Sequence, residues 1–200
     1  MSNTFPFNDT TGTDPVTGRN NGLLARLTAR RRVPKIFFTN SSTEYWRGDA
    51  SLIHTDADGE KDVPLSAAVR LYHFAGTQHS AGALPLTDTN SVDGARGQQP
   101  LNSVDYNPLL RAALIRMNEW VNNEKDPPPS RYPRLVDGTA VAPNELKGLF
   151  TAITGVGFSG APAAGGSSRL WSGFRARGGD YLAAGGGQAL SAFRSGGRSG

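Results

Sequence analysis

A histidine and a glutamate each follow an apolar run at the same distance, and together they could do acid–base chemistry. His79 stands in YHFAGTQHSAG, five residues after Phe74, where the run VRLYHF ends. Glu44 stands in SSTEYW, five residues after Thr39, where the run KIFFT ends. A carboxylate can orient an imidazole and stabilise its charged form while the imidazole removes a proton from a nucleophile. The acid precedes the histidine by 35 residues, as in catalytic triads with the chain order serine, acid, histidine.

Other side chains near this pair could replace one of its members or line a pocket. Asp49 and Asp56 are alternative acids, and Asp49 is the closer rival because it lies in the same loop as Glu44. Tyr45 and Trp46 could line a substrate pocket, although an aromatic pair beside a strand more often fills a core.

The remaining residue types that could do chemistry have plainer interpretations. We expect His73 to pack or hydrogen-bond on the face of its strand, and His54 to be structural or superficial. Trp120 recurs on one face of a helix, which predicts a core position. Ser41 and Ser42 precede the acid without the sharp strand-to-helix motif that exposes a nucleophile, so neither is a candidate.

The nucleophile that such a pair needs has no evident counterpart in the sequence. A nucleophile elbow has the form G-x-S-x-G, and no such pentapeptide occurs in the 200 residues. The nearest match, at 157–161, ends in alanine and follows His79, which is the wrong side for this chain order. We therefore expect that the chain lacks its nucleophile and is inactive alone.

Two buried strands are predicted to position the pair. The apolar runs 35–39 and 69–74 have the length and composition of buried strands. In an open α/β sheet, functional groups gather at the carboxyl ends of the strands, and both candidate residues follow such an end. Residues 40–44 are predicted to form a polar loop, and residues 75–104, rich in Gly, Thr, Ser and Asn, a longer one.

Two helices are predicted around these strands. Asn107 and Pro108 favour a helix that begins there, with Asn107 as N-cap, and the prolines after Asp126 terminate it. Its apolar residues recur at helical spacing on one face: Leu109, Leu110, Ala113, Leu114, Met117, Trp120 and Val121. The segment 20–32 predicts a short amphipathic helix capped by Asn20 or Asn21.

Several runs of the sequence resemble a known family. TDPVTGRNNGLLAR, PKIFFTNSSTEYWRGDASLIHTD, VRLYHFAGTQHS and PPPSRYPRLVDGT are similar to the C-terminal part of uncharacterised alpha/beta hydrolase domain proteins, over about residues 5–160. The resemblance implies the α/β class and the C-terminal fragment of an α/β-hydrolase fold, with 35–39 and 69–74 as its last core strands and 108–123 as its final helix. It also implies Glu44 as triad acid, His79 as triad base, and hydrolysis of a carboxylic ester by a Ser-Glu-His mechanism.

The chain divides by composition into residues 1–160 and a tail, 161–200. The tail has 11 glycines, five arginines and one acid, and its composition predicts disorder. The first 160 residues then hold 16 basic and 16 acidic residues, so the net charge of +4 belongs to the tail. A tail translated out of frame is one explanation of this composition. A non-catalytic binding module, with an Arg/Gly-rich tail that contacts nucleic acid or protein, is the alternative function.

The composition also limits cofactors and partners. The chain has no cysteine and three scattered histidines, so we expect neither a structural zinc site nor another cofactor. No apolar run has the length of a membrane span, and no signal peptide is recognisable, so the sequence indicates no compartment. The neutral part gives no reason to expect nucleic acid. The partner we expect is a small ester-like substrate of the full-length protein.

Overall fold

The computed structural model describes residues 5–46, 50–57, 59–91, 94, 96–97, 99–158 and 182–183. The elements follow one another along the chain as β1 (Gly12–Thr13), β2 (Asn20–Asn21), α1 (Ala25–Ala29), β3 (Ile36–Ser41), α2 (Ser42–Trp46), a 3₁₀ turn (Ser51–Ile53), β4 (Val69–Phe74), α3 (Asn107–Asn123), β5 (Ala140–Val141), a second 3₁₀ turn (Pro143–Leu146), α4 (Lys147–Thr151) and β6 (Leu182–Ala183). Among the described residues, no helix has both the length and the apolar character needed to cross a membrane.

Strands β3 and β4 pair in parallel and form the centre of the fold. Their register runs from Ile36 opposite Val69 to Ser41 opposite Phe74. The prediction for 69–74 is confirmed to the residue, and β3 extends two residues beyond the predicted 39. Val69 and Leu71 are fully buried, as expected for β-forming side chains on a covered strand.

The far edge of β4 is also paired, by an extended segment that follows helix α3. Arg131 donates its N–H to the Leu71 carbonyl at 2.9 Å, and its carbonyl accepts the N–H of His73 at 2.7 Å. The hydroxyl of Ser130 accepts the N–H of Leu71 at 3.0 Å. These bonds satisfy backbone groups that an edge strand would leave open, so β4 lies inside the described sheet.

Helix α3 is present as predicted, but its apolar face is mostly exposed. It begins at Asn107, one residue earlier than expected, so Asn107 is helical and not the N-cap; the Asp105 carboxylate accepts its N–H at 2.9 Å. Of the predicted face only Trp120 is buried, while Leu109, Leu114 and Val121 are at least half exposed. The core position predicted for Trp120 is therefore confirmed, while no other side chain of this face is buried, because periodicity fixes which residues share a face and not what covers them.

The predicted helix over 20–32 is shorter than expected. Asn20 and Asn21 lie in β2, paired with β1, and neither caps a helix; α1 covers only Ala25–Ala29. The reason is the turn between β1 and β2. The Asp14 carboxylate accepts the Val16 N–H and the Thr17 hydroxyl, and Gly18 adopts a φ of 69°. This turn chemistry favours a hairpin over helix initiation.

Most of the predicted tail, 161–200, lies outside the described residues. Strand β6, Leu182–Ala183, pairs antiparallel with β5, so this part of the tail forms a strand where the sequence analysis found none. The division at residue 160 stays a prediction.

Candidate active site

Glu44 is presented by helix α2, which begins where β3 ends. Residues 40–44 are thus not the predicted loop: Asn40 and Ser41 complete the strand, and Glu44 lies in the first helical turn. Oε2 of Glu44 accepts the Ser41 N–H at 2.7 Å and also accepts the Ser41 hydroxyl. The Thr43 N–H is directed at Oγ of Ser41, at 3.3 Å. This arrangement resembles a capping box, with the Thr43 N–H in the place of the Glu44 N–H, and the spacing Ser-x-x-Glu in SSTE indicates it.

His79 lies in the segment that leaves the carboxyl end of β4 and contacts the acid directly. Its Nδ1 is 2.5 Å from Oε1 of Glu44, although the two residues are 35 apart in the chain. The side chain of His79 is 62% exposed and that of Glu44 is 16% exposed. Nε2 of His79 has no hydrogen-bond partner among the described residues. Of the two ring nitrogens, Nδ1 is therefore engaged by Glu44, while Nε2 is left available.

The surroundings of Glu44 keep it ionised. Burial raises the pKa of the Glu44 carboxyl, but the hydrogen bonds from Ser41 and His79 together outweigh burial and hold the pKa below its usual 4.5. An ionised carboxylate at neutral pH is the form that accepts a hydrogen bond from an imidazole N–H.

The two ends of the segment that carries His79 are joined by hydrogen bonds that involve the side-chain amides of Asn102 and Gln78. Asn102 donates Nδ2–H to the Gly76 carbonyl at 2.6 Å, and its backbone N–H donates to Oε1 of Gln78 at 2.9 Å. The Gly82 N–H donates to the Asn102 carbonyl at 2.7 Å. Gln78 is almost fully buried. Asn102 thus bonds to the chain on both sides of His79, a role that the sequence analysis missed inside a segment read as loop.

Of the two rival acids, only Asp56 lies in the described part of the chain, and its hydrogen bonds there go to its own turn and not to His79. Oδ1 of Asp56 accepts the N–H groups of Glu60 and Lys61, at 2.8 and 3.2 Å, and closes the acidic turn. Asp49 lies outside the described residues, as does the central serine of the 157–161 pentapeptide.

Of the two aromatic residues that follow Glu44, Tyr45 lies in the core and Trp46 is partly buried against it. Tyr45 is 2% exposed and packs in the cluster with Ala50 and Leu146. Trp46 packs edge-on against Phe150, with ring centroids 5.5 Å apart. The pocket-lining role of these two side chains stays a prediction.

The other two histidines are structural, as their sequence context suggested for His73. Nδ1 of His73 lies 3.3 Å from the Asn40 carbonyl, and its ring packs against Tyr45. His54 is fully buried, with Nε2 3.1 Å from the Tyr45 hydroxyl. Burial, opposed by the nearby Asp62 carboxylate, lowers the pKa of His54 to about 4.

The hydroxyl groups of Ser41 and Ser42 both form hydrogen bonds within the site. Ser41 binds Glu44, and Oγ of Ser42 accepts the Gly76 N–H at 3.0 Å.

Two clefts, of about 510 and 440 Å³, lie away from the Glu44–His79 pair: one beside Arg70 and Pro127, the other beside Phe7 and Val63. Neither of these two clefts is lined by Glu44 or His79. Within the described part of the chain, no cluster of three or more His, Asp or Glu could hold a metal.

Comparison with known proteins adds one match. A family model described as "Alpha/beta hydrolase domain" matches residues 4–154, about three quarters of the chain. No curated protein and no solved structure matches the sequence.

Proposed function

Because the chain belongs to the alpha/beta hydrolase domain family, we propose that Glu44 and His79 are the acid and the base of a carboxylic-ester hydrolase. The observation that carries the proposal is the 2.5 Å contact between Nδ1 of His79 and Oε1 of Glu44 at the carboxyl ends of two parallel strands. Ester hydrolysis, as distinct from hydrolysis in general, is inferred by analogy with the fold.

The geometry suits a histidine that acts as base and then as acid. With Nδ1–H donated to Glu44, the lone pair of the imidazole is on the exposed Nε2. Nε2 would take the proton of a serine hydroxyl as the serine oxygen attacks the ester carbonyl carbon, and would return it to the leaving alcohol as the ester C–O bond breaks. Nε2 would then take a proton from water as the water oxygen attacks the acyl carbon, and would return it to the serine oxygen as the acyl-serine C–O bond breaks and the carboxylic acid leaves. The ionised Glu44 would stabilise the imidazolium in both steps.

The serine itself is proposed to come from polypeptide outside these 200 residues. No G-x-S-x-G pentapeptide occurs in the sequence, and the hydroxyls of Ser41 and Ser42 are engaged at the acid and at the Gly76 backbone. An acid–base pair without its nucleophile and oxyanion hole retains little rate enhancement. The chain alone should therefore not turn over esters.

Two proteins test the proposal. The chain alone, incubated with p-nitrophenyl butyrate and a fluorophosphonate probe, should show no serine labelling and no hydrolysis above that of its His79→Ala variant. A protein with the reading frame continued upstream to a G-x-S-x-G motif should be labelled and active, with about 10³-fold or greater loss on His79→Ala. Serine labelling in the chain alone, or full activity of the extended protein without His79, would overturn the proposal.

The alternative function, a binding module with an Arg/Gly-rich tail, rests on residues 161–200. Apart from Leu182–Ala183, these lie outside the described residues, so the alternative stays a prediction.

A further inference from the structure

The imidazole of His79 has little packing to hold it in place. Its side chain is 62% exposed, so its orientation depends on hydrogen bonds more than on neighbouring atoms. An exposed side chain keeps much of its rotamer freedom unless its backbone and its polar atoms are fixed. The hydrogen bonds of the His79 backbone therefore bear directly on whether Nδ1 stays at Glu44.

Both polar groups of the His79 backbone are bound by side chains. The His79 N–H donates to Oγ1 of Thr43 at 3.1 Å. The hydroxyl of Tyr106 donates to the His79 carbonyl at 2.6 Å. Thr43 directly precedes Glu44 in α2, so one bond ties the base to the helix that presents the acid. Tyr106 flanks the start of α3, so the other bond ties the base to a second helix.

We propose that Thr43 and Tyr106 are positioning residues that fix the backbone of His79 and so hold its imidazole against Glu44. This inference rests on the proposed function of the pair, and it assigns roles that neither the family match nor the triad pattern supplies. The two hydrogen bonds fix the N–H and the carbonyl of His79, at a position where neighbouring atoms provide little packing.

The surroundings of Tyr106 favour a protonated hydroxyl that can donate a hydrogen bond to the His79 carbonyl. Its ring packs against Phe74, the last residue of β4, with centroids 5.7 Å apart. Burial, followed by the negative charges of Glu44 and Asp105, raises the pKa of Tyr106 above its usual 10. The hydroxyl therefore keeps its proton at neutral pH, at which Glu44 is ionised, and can donate to the His79 carbonyl.

Proton NMR of the histidine rings tests the inference. The Nδ1–H of His79 bound to Glu44 should give a far-downfield resonance that is absent in Glu44→Gln. Tyr106→Phe removes only the hydroxyl, and we expect it to lower the intensity or exchange protection of this resonance about fivefold. Tyr72→Phe is the matched control, because the Tyr72 hydroxyl also donates to a backbone carbonyl, that of Pro128 at 2.8 Å. It should leave the resonance unchanged.

Substitutions at Thr43 give an independent arm if Tyr106→Phe disturbs folding. Thr43→Val removes the acceptor for the His79 N–H and should weaken the resonance, whereas Thr43→Ser keeps the hydroxyl and should restore it. Absence of the resonance in the unsubstituted protein would overturn the acid–base pair, and with it the proposed function. If the resonance is present and both Tyr106→Phe and Thr43→Val leave it intact, the positioning inference fails while the proposed function stands.

Discussion

The hydroxyl of Tyr45 lies 3.1 Å from Nε2 of His54, and Tyr45 directly follows Glu44 in helix α2. The helix that presents the acid is thereby anchored to a buried histidine. Tyr45 and His54 are each at most 2% exposed, so the contact between them lies in the core. The free energy of unfolding should therefore depend on whether His54 is charged.

The first prediction concerns pH. The pKa of His54 falls from its usual 6.5 to about 4 in the fold, so the unfolded chain binds a proton that the folded chain does not. Stability should therefore be fully present above pH 6.5 and decrease as the pH falls towards 4, by up to about 3 kcal/mol from this group. Urea unfolding between pH 7 and 4 measures the decrease.

His54→Gln is the control for this pH effect. Glutamine can keep a hydrogen bond to Tyr45 but does not titrate, so the variant should lose a large part of the pH dependence between 6.5 and 4. An unchanged slope in the variant would assign the acid sensitivity to other groups, such as the carboxylates.

The second prediction concerns the cap on Glu44. Ser41→Ala removes the hydroxyl whose hydrogen bond is the largest influence that lowers the pKa of Glu44, so that pKa should rise. Carboxyl ¹³C NMR titration measures it. Because a depressed carboxyl pKa stabilises the fold above 4.5 and this stabilisation is lost as the pH falls, the variant should lose about 1 kcal/mol at pH 7. Ser80→Ala, at an exposed position, should change neither quantity, and an unshifted Glu44 in Ser41→Ala would contradict the assignment.

The third prediction concerns the hydrogen bond from Asn102 to Gly76, at the start of the segment that carries His79. Asn102→Asp replaces the Nδ2 donor by an oxygen that faces the Gly76 carbonyl at about the same position, so the bond becomes a repulsion. We expect a loss of about 1–3 kcal/mol and faster amide hydrogen exchange at residues 76–82. Asn122→Asp is matched to it, since Asn122 donates to Asn118 on an exposed helix surface. Equal exchange in the two variants would show that Asn102 does not hold the loop.

The strands, and the positions of Glu44 and His79 at their carboxyl ends, could be predicted from the sequence. Val69–Phe74 is a run of β-forming residues between turn signals, and it forms a strand with those bounds. Because Glu44 and His79 follow the ends of neighbouring parallel strands, their contact could be expected from topology alone.

What could not be predicted depends on side-chain hydrogen bonds between distant segments. Asn102 and Tyr106 are 23 and 27 residues from His79 in the chain, and neither has a local pattern that indicates a contact with it. The hydrogen bonds between Ser41 and Glu44 are different, because the spacing Ser-x-x-Glu in SSTE indicates a helix start, although residues 40–44 are predicted to form a loop. The hairpin stabilised by Asp14 was missed for a similar reason.

The last prediction concerns the residue that attaches helix α3 to the sheet. Among the described residues, the helix is attached to the sheet chiefly through Trp120, whose ring stacks on Phe37 with centroids 5.7 Å apart and lies under the guanidinium of Arg70. Trp120→Ala should then cost about 3 kcal/mol or more in unfolding free energy. Leu114→Ala, at a side chain 69% exposed, should cost less than about 0.5 kcal/mol. Comparable losses in the two variants, measured by urea unfolding, would contradict this attachment and would mean that the apolar face around Leu114 is covered.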